Sequence, residues 1–375
     1  MRTYKLKEIT NRIFSGGTPS TTRPDYWDGD LNWLSSGETR NPFIKSTEKK
    51  ITAIGVSNSS TRLAHVGDTV IASAGQGCTR GQTSFLKINT YINQSIVALE
   101  PNKQFIVSEY LFYNLSNRYD EMRLLSDSSS TRGSITTKMI SDMTINLPNI
   151  NDQQHIVNTI GSIDDLIENY QQEIDKICEL LDKSLLKYPN RVEISSYNPK
   201  IIKSGINSFF NSKEYLDTSS VEGVNNISAG EEITICKRPS RANMQPVKNS
   251  VWFAKMKGSC KKLIITADDF DLMYHYILST GFQGLLSTKQ LPLSLLSAFV
   301  ISKDFDVQRD LHSVGTTMAG INNETFMKML VPQLSIQEIE EFDKKYSSLV
   351  KLLSKRRKEI TKLKTIKQQL LQIYF

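Results

Sequence analysis

The sequence predicts an α+β protein of two globular units separated by two long antiparallel coiled-coil helices, related by a pseudo-twofold internal repeat. Three observations predict it. Short β-like runs alternate with polar loops in two separate stretches. Two other stretches carry apolar residues at heptad spacing with no proline to interrupt them. The approach to each of these stretches is written twice. The chain divides accordingly into a unit over 1–150, a helix over 151–188, a second unit over 189–335 and a closing helix over 336–375.

In the first unit, "DTVIAS" and "SIVALEP" read as strands between loops rich in Gly, Ser, Thr and Asn. The run "SEYLFYNLSNRYDEMRLL" reads as one helix with Ser108 as its cap. Near the start stands "FSGGTPSTTRPDYWDGDLNWLSSGETR", whose Gly16 and Gly17 read as a turn opening a long loop and whose Tyr26, Trp27 and Trp33 read as its packing anchors. It lacks the lysine of a phosphate loop and is not bracketed by a buried strand and a helix, so a nucleotide cradle is excluded.

The central stretch places Ile156, Ile160, Ile163, Ile167, Tyr170, Ile174, Ile177 and Leu181 at steps of four and three, a heptad seam. The closing stretch repeats the rhythm with Phe342, Tyr346, Leu349, Leu353, Ile360, Leu363 and Leu370, interrupted by Arg356 and Lys367. Each spans about 50–55 Å at helical rise. Residues 151–188 hold 8 acidic and 3 basic side chains, whereas 336–375 hold 5 and 10. Opposite charge and matching seams make mutual pairing the simplest way to bury both stripes.

The second unit offers "VWFAKM", "KKLIIT" and "SAFVIS" as strands and "DDFDLMYHYIL" as a helical or mixed segment. Its exit repeats that of the first. Ile135 and Met143 correspond to Ile321 and Met329, and Pro148 and Gln153 to Pro332 and Gln337, a period near 184 residues.

Composition narrows the function classes. A net charge of +7 favours a polyanionic partner. Cys78, Cys178, Cys236 and Cys260 never fall at C-x-x-C spacing, and the four histidines show no H-E-x-x-H. A disulfide framework and a metal site are therefore not expected. No apolar run reaches membrane-spanning length, and cytoplasmic residence with no membrane partner is expected. Two alternatives stay open: a Mg²⁺ nuclease on a loose PD…E-x-K pattern of Asp25, Glu48 and Lys50, and a coiled-coil interaction protein that never touches DNA.

Several polar loops carry side chains suited to base edges or phosphates. The opening stretch contributes Arg23, Ser35, Ser36 and Arg40. "SAGQGCTRGQTS" contributes Gln76, Thr79, Arg80 and Gln82, and "SDSSSTRGS" contributes Ser129, Thr131 and Arg132. In the second unit, "KRPSRANMQP" presents Lys237, Arg238, Arg241, Asn243 and Gln245, and "GTTMAGINN" presents Thr316, Thr317, Asn322 and Asn323.

The opening "YKLKEITNRIFSGGTPSTTRPDYWDGDLNWLSSGE", with "VGDTVIAS", "YINQSIVAL" and "MTINLPNINDQQHIV", resembles the DNA specificity (S) subunits of type I restriction–modification systems. "KEYLDTSSV", "RPSRANMQPV", "GTTMAGINN" and "LVPQLSIQEIEEF" are similar to a different subclass of that family's target-recognition domain, without the Gly-Gly-Thr-Pro-Ser opening. The resemblance implies that each unit reads one half of a bipartite, asymmetric site in double-stranded DNA. It implies that the paired helices set the gap between the halves, and that the subunit is not itself catalytic. Two methyltransferase (M) subunits would dock on it and supply S-adenosylmethionine for adenine methylation. Two restriction (R) subunits would bring ATP- and Mg-dependent translocation and cleavage.

Overall fold

The protein is described by a computed structural model covering residues 2–75, 77–127, 133–228, 230–315 and 319–375. It forms two compact units, Met1–Asp164 with Ile366–Phe375, and Asp165–Thr365. Each long helix therefore contributes to both.

In the first unit, strand Arg2–Lys5 pairs antiparallel with Thr144–Leu147, the strand that feeds the central helix. A five-stranded sheet follows the order Thr10–Ser15, Ile96–Pro101, Thr69–Ala72, Thr83–Leu86, Phe43–Ile44. The second sheet runs Lys49–Ile51, Trp27–Leu34, Thr90–Ile92, Arg62–Ala64, with its middle pair parallel. Helices Ser108–Ser116, Tyr119–Asp127 and Thr137–Asp142 complete the unit. Leu99, Leu111, Phe112, Ile140 and Ile160 lie in one core, against which Leu370, Tyr374 and Phe375 pack. Burying so many large side chains is the main favourable term holding the sheet and helices together.

The second unit repeats this plan. Arg191–Glu193 pairs antiparallel with Leu330–Pro332, the strand that feeds the C-terminal helix. One sheet runs Lys200–Ile202, Phe282–Leu286, Ser250–Ala254, Lys262–Ile265, all antiparallel. The other runs Glu231–Ile233, Lys213–Leu216, Tyr276–Ser279, Ala242–Met244, again with only its middle pair parallel. Helices Leu293–Ile301, Lys303–Leu311 and Asn323–Met327 occupy the places of their counterparts in chain order. Even the entry bond recurs: Leu6 N donates to Met143 O at 2.9 Å, and Ile194 N to Met329 O at 2.8 Å.

Three local expectations change. "SAFVIS" is helical, because its residues from Ser297 to Ile301 are buried and an apolar run buried on all sides carries no period to separate strand from helix. The run from Ser108 is two helices broken at Asn117–Arg118, and Ser108 is the first helical residue with no capping role. Val107 N is instead bonded at 2.9 Å by the buried side chain of Gln153, which also donates to the carbonyls of Phe105 and Pro148.

The central helix spans Ile150–Ser184 and the C-terminal helix Ile336–Tyr374. Ile156, Ile160 and Ile163 are buried in the first unit, and Ile174, Ile177 and Leu181 in the second. Ile167 and Tyr170 are half-buried. Along the C-terminal helix Phe342, Tyr346, Leu353 and Ile360 are buried, whereas Leu349, Leu363 and Leu370 are half-buried. The seam also takes in Val350, Ser354 and Arg357, all buried. Arg356 is half-buried beside Tyr170, its guanidinium carbon 4.2 Å from the ring centre, and its Nε bonds Glu173 at 2.6 Å. Lys367 bonds Asp164 at 2.6 Å, and Asp164 also accepts from the Tyr113 hydroxyl at 2.8 Å.

Candidate nucleic-acid interface

Three polar loops converge in the first unit: 35–41, 73–82 and the stretch ending at Ile135. Ser84 Oγ donates to the carbonyls of Thr39 and Asn41 at 3.1 and 2.7 Å, and Thr39 Oγ1 reaches Gln82 Oε1 at 3.3 Å. Ile135 N donates to Ser73 O at 2.8 Å. Arg80 anchors this group, because its guanidinium donates to the Gly133 carbonyl and the Asp127 carboxylate. A residue expected to face DNA is thus committed to holding two loops together. Thr79 is half-buried beside it, with its carbonyl accepting from Gln82 N at 3.0 Å. Gln76, Ser129, Thr131 and Arg132 lie outside the described residues.

Ser35 is part of a capping box with Glu38, whose Oε1 accepts from Ser35 N and Oγ at 3.0 Å each. Such reciprocal bonding satisfies donors that the short helix leaves open. Ser36 is half-buried and gives its carbonyl to Thr39 Oγ1 at 2.7 Å. Arg40 is exposed and pairs with Glu48 at 3.1 Å. Arg23, also exposed, forks onto Asp25 at 2.9 and 2.8 Å above the Tyr26 ring. Asp25 and Glu48 are therefore taken up in separate arginine pairs, and among the described residues no group of three metal-ligating side chains assembles. Both carboxylates of the nuclease pattern of Asp25, Glu48 and Lys50 are thus already engaged by arginines.

The glycine pair serves close approach more than turning. A Cβ on Gly16 would stand 1.9 Å from Ile92 O, and one on Gly17 2.1 Å from Ser60 Oγ. Trp33 is buried, with its indole N–H on Gly17 O at 3.2 Å, and Trp27 meets it edge-on at 5.0 Å. Trp27 is half-buried, donates to Ser20 O at 3.1 Å and lies under Lys49 Nζ at 5.5 Å.

The second unit brings together loops that its sequence kept apart. Thr280 N donates to Arg241 O at 2.8 Å, Lys255 N to Gly281 O at 2.9 Å, and Ile321 N to Lys255 O at 3.0 Å. The loops containing Arg241 and Asn322 thus meet at the turn 255–261. Lys237 and Arg241 are exposed. Arg238 is half-buried and spent on Ala242 O at 2.7 Å. Gln245 is spent on Met273 O at 3.0 Å, and Asn243 accepts from Gly205 N at 2.8 Å through its carbonyl. Asn322 caps the helix Asn323–Met327 by accepting from Thr325 N at 2.9 Å, and Asn323 is exposed at its first position. Thr316 and Thr317 lie outside the described residues.

This arrangement adds lysines of the turn 255–261, which motif reading misses, to Arg241, which it singles out. Lys255 and Arg241 stand close enough to repel: burial lowers the Lys255 pKa first, and the Arg241 charge lowers it further. Among the described residues neither forms an ion pair, so the pair is a standing attraction for an anion. Lys257 is exposed in the same turn, and Lys261 donates to Thr218 O at 2.6 Å. That bond does for the loop 217–220 what Thr39 and Gln82 do in the first unit. The repeat period carried the signal, since the turn 255–261 stands at the same place between strands as 73–82.

Residues 1–179 match the family described as type I restriction modification DNA specificity domain. The chain is 28% identical over 186 residues to the type I restriction enzyme EcoR124I/EcoR124II specificity subunit of Escherichia coli, covering 49% of this chain and 46% of that protein. It is 29% identical over 187 residues to the MjaIX specificity subunit of Methanocaldococcus jannaschii, covering 49% and 42%. The chain thus spans about half the length of the curated relatives it matches. Its fold is like that of the type I restriction-modification system S subunit from M. genitalium, with a TM-score of 0.53 at 14% identity over 99% of this chain and 94% of that one. The match over residues 1–179 covers the stretch whose opening motifs carry the resemblance to type I restriction–modification specificity subunits, and the likeness of fold extends over the whole chain.

Proposed function

We propose that this chain is the DNA-reading, non-catalytic subunit of a type I restriction–modification complex, each unit addressing one half of a bipartite asymmetric site. The observation that carries the reading is the reuse of one topology with the same loops converging in both units, bearing different side chains. Phosphate contacts from exposed cations such as Lys237, Lys257 and Arg40 position each unit, and a few side chains such as Arg241 read base edges. The two long helices pair antiparallel and set the gap. Support for that pairing comes from Asp164 bonding Lys367 in the first unit and Glu173 bonding Arg356 in the second, with one partner number rising as the other falls.

Two methyltransferase subunits dock on this frame and supply S-adenosylmethionine, and two restriction subunits add ATP- and Mg-dependent cleavage. Among the described residues no helix is long and apolar enough to cross a membrane.

The deciding experiment maps methylated adenine in cells with and without the chain. A bipartite motif that vanishes with the chain supports the reading, and an unchanged methylome overturns it. Lengthening both helices by a few residues should alter the gap and leave both half-sites intact. In binding titrations on duplex, affinity should fall steeply with salt.

A further inference from the structure

We infer that Arg123 and Arg309 are equivalent positioning residues, one in each unit, which hold the backbone of the DNA-facing turn in its reading conformation. The inference rests on the DNA-reading function proposed above and goes beyond it by naming what orders the turns.

The two turns correspond element by element. Residues 73–82 join strand Thr69–Ala72 to Thr83–Leu86, and residues 255–261 join Ser250–Ala254 to Lys262–Ile265. Each turn is tied at its start by the same two bonds. Ser73 N donates to Ser95 O at 2.8 Å where Lys255 N donates to Gly281 O at 2.9 Å. Ser73 O accepts from Ile135 N where Lys255 O accepts from Ile321 N. Each also contains a glycine in the left-handed region, Gly77 at φ +63° and Gly258 at φ +75°. Such a turn has few backbone bonds of its own and needs outside support to keep one shape.

That support comes from the same place in both units. Arg123 lies on helix Tyr119–Asp127 and donates through Nη1 to Gly77 O at 2.9 Å. Arg309 lies on helix Lys303–Leu311 and donates through Nη1 to Ser259 O. Arg309 follows Arg123 by the same interval that separates Ile321 from Ile135 and Met329 from Met143. Of the six other aligned positions the helices share Asp120 with Asp306 and Leu125 with Leu311 and differ at the remaining four, and the guanidinium-to-carbonyl bond is retained.

The surroundings show what each clamp adds. Arg309 is 2% exposed and is itself fixed by Asp306 at 2.9 Å and Asp310 at 2.8 Å. Asp310 also accepts from Gly258 N at 3.0 Å, so the turn is gripped at one carbonyl and one amide. In the first unit the grip is shared by the Tyr119 hydroxyl, which donates to Cys78 O at 3.1 Å. A planar fork held by its own carboxylates fixes direction as well as distance, which an ammonium does not. Base discrimination needs that precision, because side chains reading base edges must be held within fractions of an ångström.

The test uses the full chain with its methyltransferase partners and a site selected by the wild type from a randomised duplex library. Competition binding then measures preference for each intact half-site over a changed one, for Arg123→Lys, Arg123→Ala and Arg309→Lys. The Arg123 variants should lose about fivefold to tenfold in preference at one half-site and nothing at the other, as for one lost base contact. Arg309→Lys should do the reverse. Amide hydrogen exchange over 77–80 and 257–260 should accelerate in the respective variant alone, which reports the clamp even where a variant loses binding altogether.

Wild-type discrimination at both half-sites in all three variants overturns the inference, as does unchanged exchange protection in both turns. An even loss of affinity for matched and unrelated duplexes overturns it too, by demoting the arginines to general electrostatics. Failure of the wild type to enrich any sequence takes down the DNA-reading function and this inference together, and is thereby distinguished from failure of the clamp alone.

Discussion

The two units share a topology and differ in the chemistry that fastens it. In the first, the end of the C-terminal helix is held by Lys367 on Asp164, both partly accessible, with the Tyr113 hydroxyl on the same carboxylate. In the second, Arg357 and Asp269 form a pair at 2.5 Å with exposures of 2% and 0%, joined by Ser354 and by Thr266 N at 2.7 Å. The loops show the same split. In the first unit hydroxyls and amides join Thr39, Gln82 and Ser84 beside the arginine ties of Arg80 and Arg123, whereas in the second the ties of Lys261 and of the Arg309–Asp310 grip are all charged. What persists between the units is the position that needs a tie; the residues that supply it change around the turn, while the arginine that reaches the turn from its helix, Arg123 or Arg309, stays.

The largest expected effect lies in the buried pair. Asp269→Ala leaves Arg357 charged without its buried partner, and should destabilise the second unit by about 3–5 kcal/mol in urea denaturation. Asp164→Ala, which removes the carboxylate that holds Lys367 in the first unit, should cost about 1–3 kcal/mol. Equal losses would break the contrast between the units.

Gly17→Ala follows, because its Cβ would strike Ser60 Oγ and backbone in the first unit. A loss of about 1–3 kcal/mol is expected from such overpacking, read by thermal melting.

Acid should separate the units further. Burial alone would raise the Asp269 pKa, but the Arg357 charge and the bonds from Ser354 and Thr266 hold it below the usual carboxylate range. Its folded value lies below its unfolded one, so its stabilisation is complete above about pH 3.9 and is lost as pH falls further. Asp68 in the first unit has the opposite sign, because burial pushes it up to about 6 against the bond from His65 N. Its ionisation weighs against folding at neutral pH, and the weight lifts as pH falls through about 6 toward the unfolded value. The first unit should therefore gain stability between neutrality and about pH 4, and Asp68→Asn should abolish the gain. A monotonic acid loss in wild type, unaltered by Asp68→Asn, would refute this.

The smallest effect is expected at Arg40→Ala, whose pair with Glu48 is more than half exposed on both sides. Stability should change by less than about 1 kcal/mol, while salt dependence of DNA binding falls if Arg40 meets a phosphate.

Much of this was legible in the chain. The spacing of Ile156 to Leu181 and of Phe342 to Ile360 marked both long helices, because a helical stripe recurs every few residues and needs no distant partner to be seen. The matched Ile135/Ile321 and Met143/Met329 announced the repeat. Loop residues were harder. Arg23, Arg40, Lys237 and Arg241 are exposed as a reader must be, but Arg80, Arg238 and Gln245 hold the protein's own backbone, and residue type alone does not separate these fates.

By itself the sequence determined the helices, the repeat and the specificity-subunit resemblance of its first half, since local periodicity and motif order are properties of contiguous residues. Only the tertiary structure decided that the second unit keeps the strand order of the first, less the edge strand Phe43–Ile44, and that Arg123 and Arg309 each reach the carbonyl of a corresponding turn. Strand pairing and the bond from a helix to a distant turn join residues many positions apart, and their register is set by which side chains bury together. A linear pattern does not contain that choice until the core has closed around it.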